Sequence, residues 1–280
     1  VDKTRRRTAL VTGASGGFGR LICLELARKG FYVIGTIRDE TKKGALLEAA
    51  KRLGVGERVE TVPLDVARED AGDIVAAVMK KIGTLDVLVN NAAYASGGFT
   101  EDIPMDEWNK QFETNVFGLI RVTKAVLPYM REAGRGTIIN MSSISGRIAF
   151  PGLGPYAASK FAVEGFSEAL RLEMQPYGVH VVLVEPGSYK TEIWAKGLAA
   201  FRADPGSPYG DKTERLLEMV RHTANTAGPP EEVAKIVVRI ALEEKPRFRY
   251  PIGRGVKTAL ILKRIMPWRW IERAILKRMS

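Results

Sequence analysis

Ser143, Tyr156 and Lys160 lie within eighteen residues of one another and could do chemistry together. A serine hydroxyl, a phenol and an ammonium can jointly handle a carbonyl oxygen while hydride reaches or leaves its carbon. In Tyr156-Ala-Ala-Ser-Lys160 the two titratable groups are four residues apart, which on a helix places both on one face. An ammonium about 4 Å from a phenol favours the phenolate by roughly 4 kcal/mol at an effective dielectric near 20. That would bring a tyrosine that ordinarily titrates near ~10 down toward ~7. A tyrosine so tuned serves as a general acid or base near neutral pH. The same pair also occurs as an ordinary surface pair on amphipathic helices, so its setting decides.

The setting starts near the N-terminus. Thr8-Ala-Leu-Val-Thr12 reads as a buried strand running directly into Gly13-Ala-Ser15-Gly-Gly17-Phe18-Gly19, and an apolar helix follows from about Gly17 to Lys29. Strand, glycine-rich turn and helix N-terminus is an arrangement that binds a pyrophosphate. Gly13 suits the tight turn, Gly17 lets backbone N–H groups approach phosphate, and Gly19 lets the helix pack close to the strand. A glycine-rich loop that binds nothing is the competing reading.

Composition narrows the field. The chain has 280 residues and a single cysteine, Cys23, set among Leu21, Ile22 and Leu24. One cysteine forms no intrachain disulfide and suggests no metal cluster. It reads as a small buried hydrophobe in a reducing cytoplasm. The basic start (Lys3, Arg5, Arg6, Arg7) leads into five strand residues and then glycines, so no secretory signal is expected. No run approaches the ~20 apolar residues that span a bilayer. The net charge of +11 sits at the ends: residues 1–7 carry +3 and residues 254–280 carry +7, leaving +1 for everything between. A nearly neutral body without a basic recognition helix argues against nucleic acid.

Strand and helix patterns then alternate. Strands are expected at Phe31–Ile37, Arg58–Leu64, Leu85–Val89, Gly136–Met141, Val179–Val184 and Arg247–Tyr250. Helices are expected at Lys42–Leu53, Glu69–Ile82, about 104–132, about 155–175 and Glu231–Leu242. Short β-branched strands alternating with helices imply an α/β fold with a parallel, doubly wound sheet. Ligands of such sheets bind outside the carboxyl ends of the strands. The glycine turn, Asp65-Val66, Asn90-Asn91-Ala92-Ala93, Ser143 and Pro186-Gly187 each follow an expected strand.

Over residues 8 to 251 these motifs resemble the short-chain dehydrogenase/reductase family. Thr12-Gly13 through Gly19 matches its TGxxxGxG cofactor motif, and Asn90-Asn91-Ala92-Ala93 its NNAG segment, with Ala93 in place of glycine. Asn115, Ser143, Tyr156 and Lys160 match its catalytic tetrad in order and spacing, and Pro186-Gly187-Ser-Tyr-Lys-Thr191 its segment beside the nicotinamide. The resemblance implies a Rossmann-type sheet of about seven strands in the order 3-2-1-4-5-6-7, covering residues 1–253 as one domain, with a substrate loop at about 189–228. It implies that Tyr156 passes a proton to or from the substrate oxygen and that Ser143 bonds the same oxygen. Lys160 would lower the tyrosine's pKa and hold the nicotinamide ribose, and Asn115 would order water behind the lysine. Gly13, Ser15, Gly17, Phe18, Gly19, Asn91, Ala92, Pro186, Gly187 and Thr191 would hold the cofactor, with Asp65 and Val66 at the adenine. Asp65 also reads as a helix N-cap before Glu69. General similarity, including Gly35-Thr-Ile-Arg38 and the C-terminal stretch, leans toward the 17β-hydroxysteroid- and retinol-dehydrogenase-like branch.

Cofactor choice turns on the end of the second strand. An acid there binds the ribose of NAD, whereas an arginine accommodates the 2′-phosphate of NADP. Ile37 followed by Arg38 favours NADP; Asp39 and Glu40 keep NAD as the alternative. Trp194 and Leu198 to Phe201, broken by Asp204-Pro-Gly-Ser-Pro208, suit a lid over a hydrophobic ketone, aldehyde or alcohol, or equally a helix packed on the core. His180 and His222 read as structural. The expected activity is an NADP-dependent carbonyl reductase or alcohol dehydrogenase. A 3-oxoacyl-carrier-protein reductase and a catalytically silent dinucleotide sensor are the alternatives. Helices near 104–132 and 155–175 are apolar on more than one side, as in a homodimer or homotetramer. At 254–280, Pro267 divides two expected helices, 254–266 and 267–279. The second sets Trp268, Ile271, Ile275 and Met279 along one face, with Arg269, Arg273, Lys277 and Arg278 largely away from it. Such a helix either packs on protein or rests on an anionic membrane.

Overall fold

Seven short aliphatic runs form one parallel sheet in the computed structural model, which describes residues 6–202 and 206–277. They are β1 (Thr8–Val11), β2 (Tyr32–Ile37), β3 (Val59–Pro63), β4 (Val87–Asn90), β5 (Gly136–Met141), β6 (Val179–Pro186) and β7 (Arg249–Ile252). Their order is β3-β2-β1-β4-β5-β6-β7, as expected from the sequence. Strands covered on both faces need apolar residues at every position, and β1 and β4 are buried throughout.

The strand period of two divides these residues between two cores. Ala9 and Val11 face α1 (Gly17–Arg28), α2 (Lys43–Arg52) and α9 (Glu231–Leu242), packing with Ile22, Leu26, Leu46, Val233 and Val237. Leu10 faces the opposite way, into the core that α3 (Ala71–Ile82) lines with Val75 and Met79. Cys23 is fully buried in the first core, where desolvation pushes its thiol pKa up. It is the packing residue its neighbours suggested.

The chain leaves β1 toward β2 and β3, then returns to place β4 on the other side of β1. That reversal opens a crevice at the carboxyl ends of β1 and β4, where the glycine turn and Asn91 lie.

Several boundaries differ from the sequence expectation. The helix expected over 104–132 is three pieces: α4 (Met105–Phe112), one π-helical turn (Glu113–Phe117) and α5 (Gly118–Ala133). Helix α3 starts at Ala71 instead of Glu69, because Asp65 Oδ1 accepts from the Ala67 N–H at 3.0 Å and closes a turn first. Asp65 is therefore a turn former and not the cap of α3. The Tyr156–Lys160 stretch lies in α6 (Gly154–Met174). The segment read as a substrate loop contains α7 (Ile193–Ala199) and α8 (Gly210–Asn225). Pro267 does divide two C-terminal helices, α10 (Val256–Ile265) and α11 (Trp268–Leu276). Lys3, Arg5, Asp204, Pro205, Arg278 and Met279 lie outside the described residues.

Candidate functional site

A hydrogen-bond lattice between two loops sets the cofactor end of the crevice. Thr12 Oγ1 accepts from the backbone N–H groups of Asn91 and Ala92, both at 3.0 Å. Asn91 Nδ2 donates to the carbonyls of Thr12 (2.9 Å) and Gly13 (3.2 Å). The glycine turn is thus tied to the Asn-Asn-Ala-Ala segment and cannot drift from it. Gly13 has φ +70°, and a Cβ there would stand 2.9 Å from Ala92 Cα. At Gly19 a Cβ would stand 2.2 Å from the Gly13 carbonyl oxygen, so α1 abuts the turn only because Gly19 lacks a side chain.

The first turn of α1 has no side-chain cap and no acid within it, which leaves its N–H groups for an anion. A dinucleotide diphosphate fits this cradle. The Glu192 carboxylate leans over Gly16, where a Cβ would meet Oε1 at 2.6 Å. It is held by Lys196 at 2.7 Å, but its side chain is 56% exposed and can swing into solvent.

Gly13, Ser15, Gly17, Phe18, Arg38, Asp65, Val66, Asn91, Ala92, Tyr156, Lys160 and Thr191 all line one continuous cleft. Twelve expected residues, drawn from five strand ends and a helix, thus meet. Gly19, Asn115, Ser143, Pro186 and Gly187 are not among the residues that line the cleft. Gly187 donates to the Ile252 carbonyl at 2.8 Å and packs on Val256. At the adenosine end, Asp39 turns away to accept from Thr41 and pair with Lys42. Arg38, which is exposed, faces the cleft without it.

At the opposite end, the Ser143 hydroxyl lies close enough to the Tyr156 phenol to lower its pKa. Ser143 Oγ also accepts from the Ser145 N–H at 3.0 Å, which fixes its direction. Lys160 is buried, and its ammonium donates to the Met141 carbonyl at 2.8 Å. It lies 5.7 Å from the centre of the Tyr156 ring. The i,i+4 pair therefore shares a helix face, and the ammonium is anchored on the Met141 carbonyl of β5. Burial pushes the Tyr156 phenol up, and Ser143 pulls the other way. Burial holds the Lys160 ammonium down at about 8.

Asn115 sits in the π-helical turn, where its side chain is fully engaged. Its Oδ1 accepts from the Tyr94 N–H at 3.1 Å, while Nδ2 donates to the Tyr94 carbonyl (3.0 Å) and Ser159 Oγ (3.1 Å). It thereby joins the loop after β4 to α6 at Ser159, the residue before Lys160. Such π-turns occur often at functional sites, because they re-aim one residue out of the helical register.

Sequence reasoning missed Tyr94, Thr114, Ser142, Ile193 and Lys196 in the cleft wall. The Tyr94 hydroxyl and Ser142 Oγ are buried without a partner among the described residues. Burial raises the Tyr94 phenol to about 12, so it stays a donor at neutral pH. Ser142 was legible as the neighbour of Ser143, whereas nothing in the spacing marks Tyr94. His180 and His222 do not line the cleft.

Known proteins share this architecture. Residues 7–200 match the family model described as short chain dehydrogenase. The chain is 43% identical to the uncharacterized oxidoreductase YusZ of Bacillus subtilis, over 98% of this chain and 99% of that one. It is 36% identical to the 3-ketodihydrosphingosine reductase of Bacteroides thetaiotaomicron, over 87% of each chain. The solved structure of ElxO with NADP bound superposes with a TM-score of 0.76 at 28% identity, over 91% of this chain and 100% of that one. The chain is an oxidoreductase of the short-chain dehydrogenase/reductase family.

Proposed function

We propose that the protein interconverts a hydrophobic ketone or aldehyde and the corresponding alcohol, with NADP as its preferred cofactor. The observation that carries this reading is the Ser143–Tyr156 pair above buried Lys160, at one end of a cleft that ends in a glycine turn. Bound NADP(H) would supply or take the hydride. Tyr156 gives a proton to the substrate oxygen in reduction and removes it in oxidation. Ser143 bonds the same oxygen and keeps it within reach of the phenol. The protonated Lys160 favours the phenolate through the field it adds to the pocket and would hold the nicotinamide ribose. Asn115 holds the wall behind it. Gly13, Ser15, Gly17, Phe18 and the α1 N-terminus would receive the diphosphate, Asp65 and Val66 the adenine, Asn91 and Ala92 the adenosine side, and Pro186, Gly187 and Thr191 the nicotinamide.

Arg38 favours NADP because a guanidinium matches a phosphate in charge and geometry. The nearest acid, Asp39, is committed to Thr41 and Lys42. Trp194, Ala195 and Leu198 of α7 wall a separate groove beside Arg20 and Leu21, and the support for a hydrophobic substrate is the likeness to a reductase of a long-chain ketone. The sphingoid ketone named for the Bacteroides relative has that character. Exposed Phe117, Phe161 and Leu172 support a homodimer or homotetramer. The test is a panel of ketones and alcohols of graded chain length, followed by nicotinamide absorbance with both cofactors. Turnover should rise with substrate hydrophobicity and favour NADPH. A panel that leaves the absorbance unchanged overturns the reading.

A further inference from the structure

We infer that α10 and α11 form a docking surface for an anionic lipid membrane. The inference stands apart from the catalytic reading, since it uses none of the cleft residues.

Helix α10 is amphipathic in a sense opposite to an ordinary terminal helix. Its inner face, Val256, Ala259, Leu260 and Lys263, is buried or half-buried against the body. Lys263 donates to the Arg147 carbonyl, and its ammonium lies 5.4 Å from the Phe161 ring centre. The outer face should then be polar, yet it presents Ile261, Leu262 and Ile265, the last 69% exposed. Lys257 and Arg264, both exposed, flank this stripe.

Helix α11 continues the pattern and buries no residue. Trp268 and Trp270 are each 60% exposed, on opposite sides of the helix, and Leu276 is exposed as well. Arg269, Arg273 and Lys277 follow one another at i, i+4 and i+8, forming a basic ridge along the helix. Arg264, Arg269 and Arg273 form no ion pair among the described residues. Residues 254–280 hold eight bases and one acid, Glu272.

Exposed aliphatics alone would fit any apolar partner. Exposed tryptophans and aliphatics with bases among them match the boundary between acyl chains and anionic headgroups. A second copy of the chain is disfavoured, because two such surfaces would bring +7 against +7. Among the described residues no helix is long and apolar enough to cross a membrane, so the contact is peripheral. It is also close to the cleft. Helix α10 leaves β7 where Ile252 pairs with Pro186, and Val256 Cγ2 stands 2.7 Å from where a Gly187 Cβ would be. Docking would hold the carboxyl edge of the sheet, where the cleft opens, near the lipid.

The full chain should float with vesicles of phosphatidylcholine and phosphatidylglycerol but not with phosphatidylcholine alone. Tryptophan emission should shift to the blue in the same mixture. Binding should fall steeply at 1 M salt, where the Debye length is about 3 Å. Each base removed should lower partitioning about fivefold, so the Arg264→Ala/Arg269→Ala/Arg273→Ala protein should bind about a hundredfold more weakly. Its thermal melt should match the parent's, which separates lost docking from lost folding. Trp268→Ser/Trp270→Ser should weaken binding at unchanged net charge. Equal flotation with both vesicle types, or no flotation at low salt, overturns the inference. So does a sedimentation result in which these variants dissociate an oligomer instead, because the face would then belong to a second copy.

Discussion

The glycine turn and α7, which α8 follows, flank the same cleft, but the two sides are built in opposite ways. Thr12 is almost fully buried, and Thr12 and Asn91 bind the turn through four hydrogen bonds. Helix α7 buries no residue, and α8 buries only Thr213 and Leu216. One side is shaped by backbone and tolerates no added atom; the other is a surface element resting on a few apolar contacts. A site for a ligand of fixed shape can be cast in backbone, whereas a site for a hydrophobic substrate needs only side chains that can be repacked.

The largest expected effect attacks the rigid side. Gly19→Val places its Cβ against the Gly13 carbonyl, which is backbone and cannot swing aside. Overpacking of this kind costs up to about 3 kcal/mol and here also displaces the turn. Thermal melts should fall, and NADPH binding by calorimetry should be lost. A near-parental affinity would mean that the turn is as adaptable as α7.

The Lys160 ammonium comes next, through its burial. Its folded pKa of about 8 lies below the ordinary 10.5, so between those values the unfolded chain binds the extra proton. The resulting cost to stability is fully present below pH 8 and disappears as pH rises toward 10.5. Lys160→Met should therefore stabilise the cofactor-free protein by about 2–3 kcal/mol at pH 7, with the difference shrinking above pH 8. The same variant should lose turnover and cofactor affinity. Melts across that pH range check the sign.

Arg38→Ala should weaken NADPH by about 1.5–3 kcal/mol, the scale of a hydrogen bond to a charged group, and leave NADH nearly unchanged. Equal losses for the two cofactors would remove Arg38 from phosphate recognition. The smallest effect belongs to the adaptable side: Trp194→Ala should change stability by less than about 1.5 kcal/mol, since the ring is only half-buried. KM for the longest ketones should move more than KM for the shortest.

This division also decided what was legible. The β1–turn–α1 unit could be read because each glycine answers a steric demand local in sequence. The break at Glu113–Phe117 could not, since the apolar periodicity runs through it and the cause is tertiary: Asn115 bonds Tyr94 and Ser159 across space. Helix α8 was missed because two buried residues, Thr213 and Leu216, leave too faint a stripe. The Tyr156–Lys160 spacing correctly gave a shared face. It carried no information on burial, which raises the cofactor-free phenol instead of lowering it. Glu192 over Gly16 is likewise a contact between segments far apart in the chain.

The central claim is that the Tyr156 hydroxyl carries the proton in a cofactor site otherwise shaped by backbone. Tyr156→Phe removes that oxygen alone and leaves the glycine turn, Arg38 and Lys160 in place. Turnover and calorimetric NADPH affinity measured on the same preparation test it directly. The account predicts turnover reduced by about 10²–10⁴-fold, the range for loss of a general acid or base, with affinity within a few-fold of the parent. Turnover within tenfold of the parent, at unchanged affinity, would contradict it.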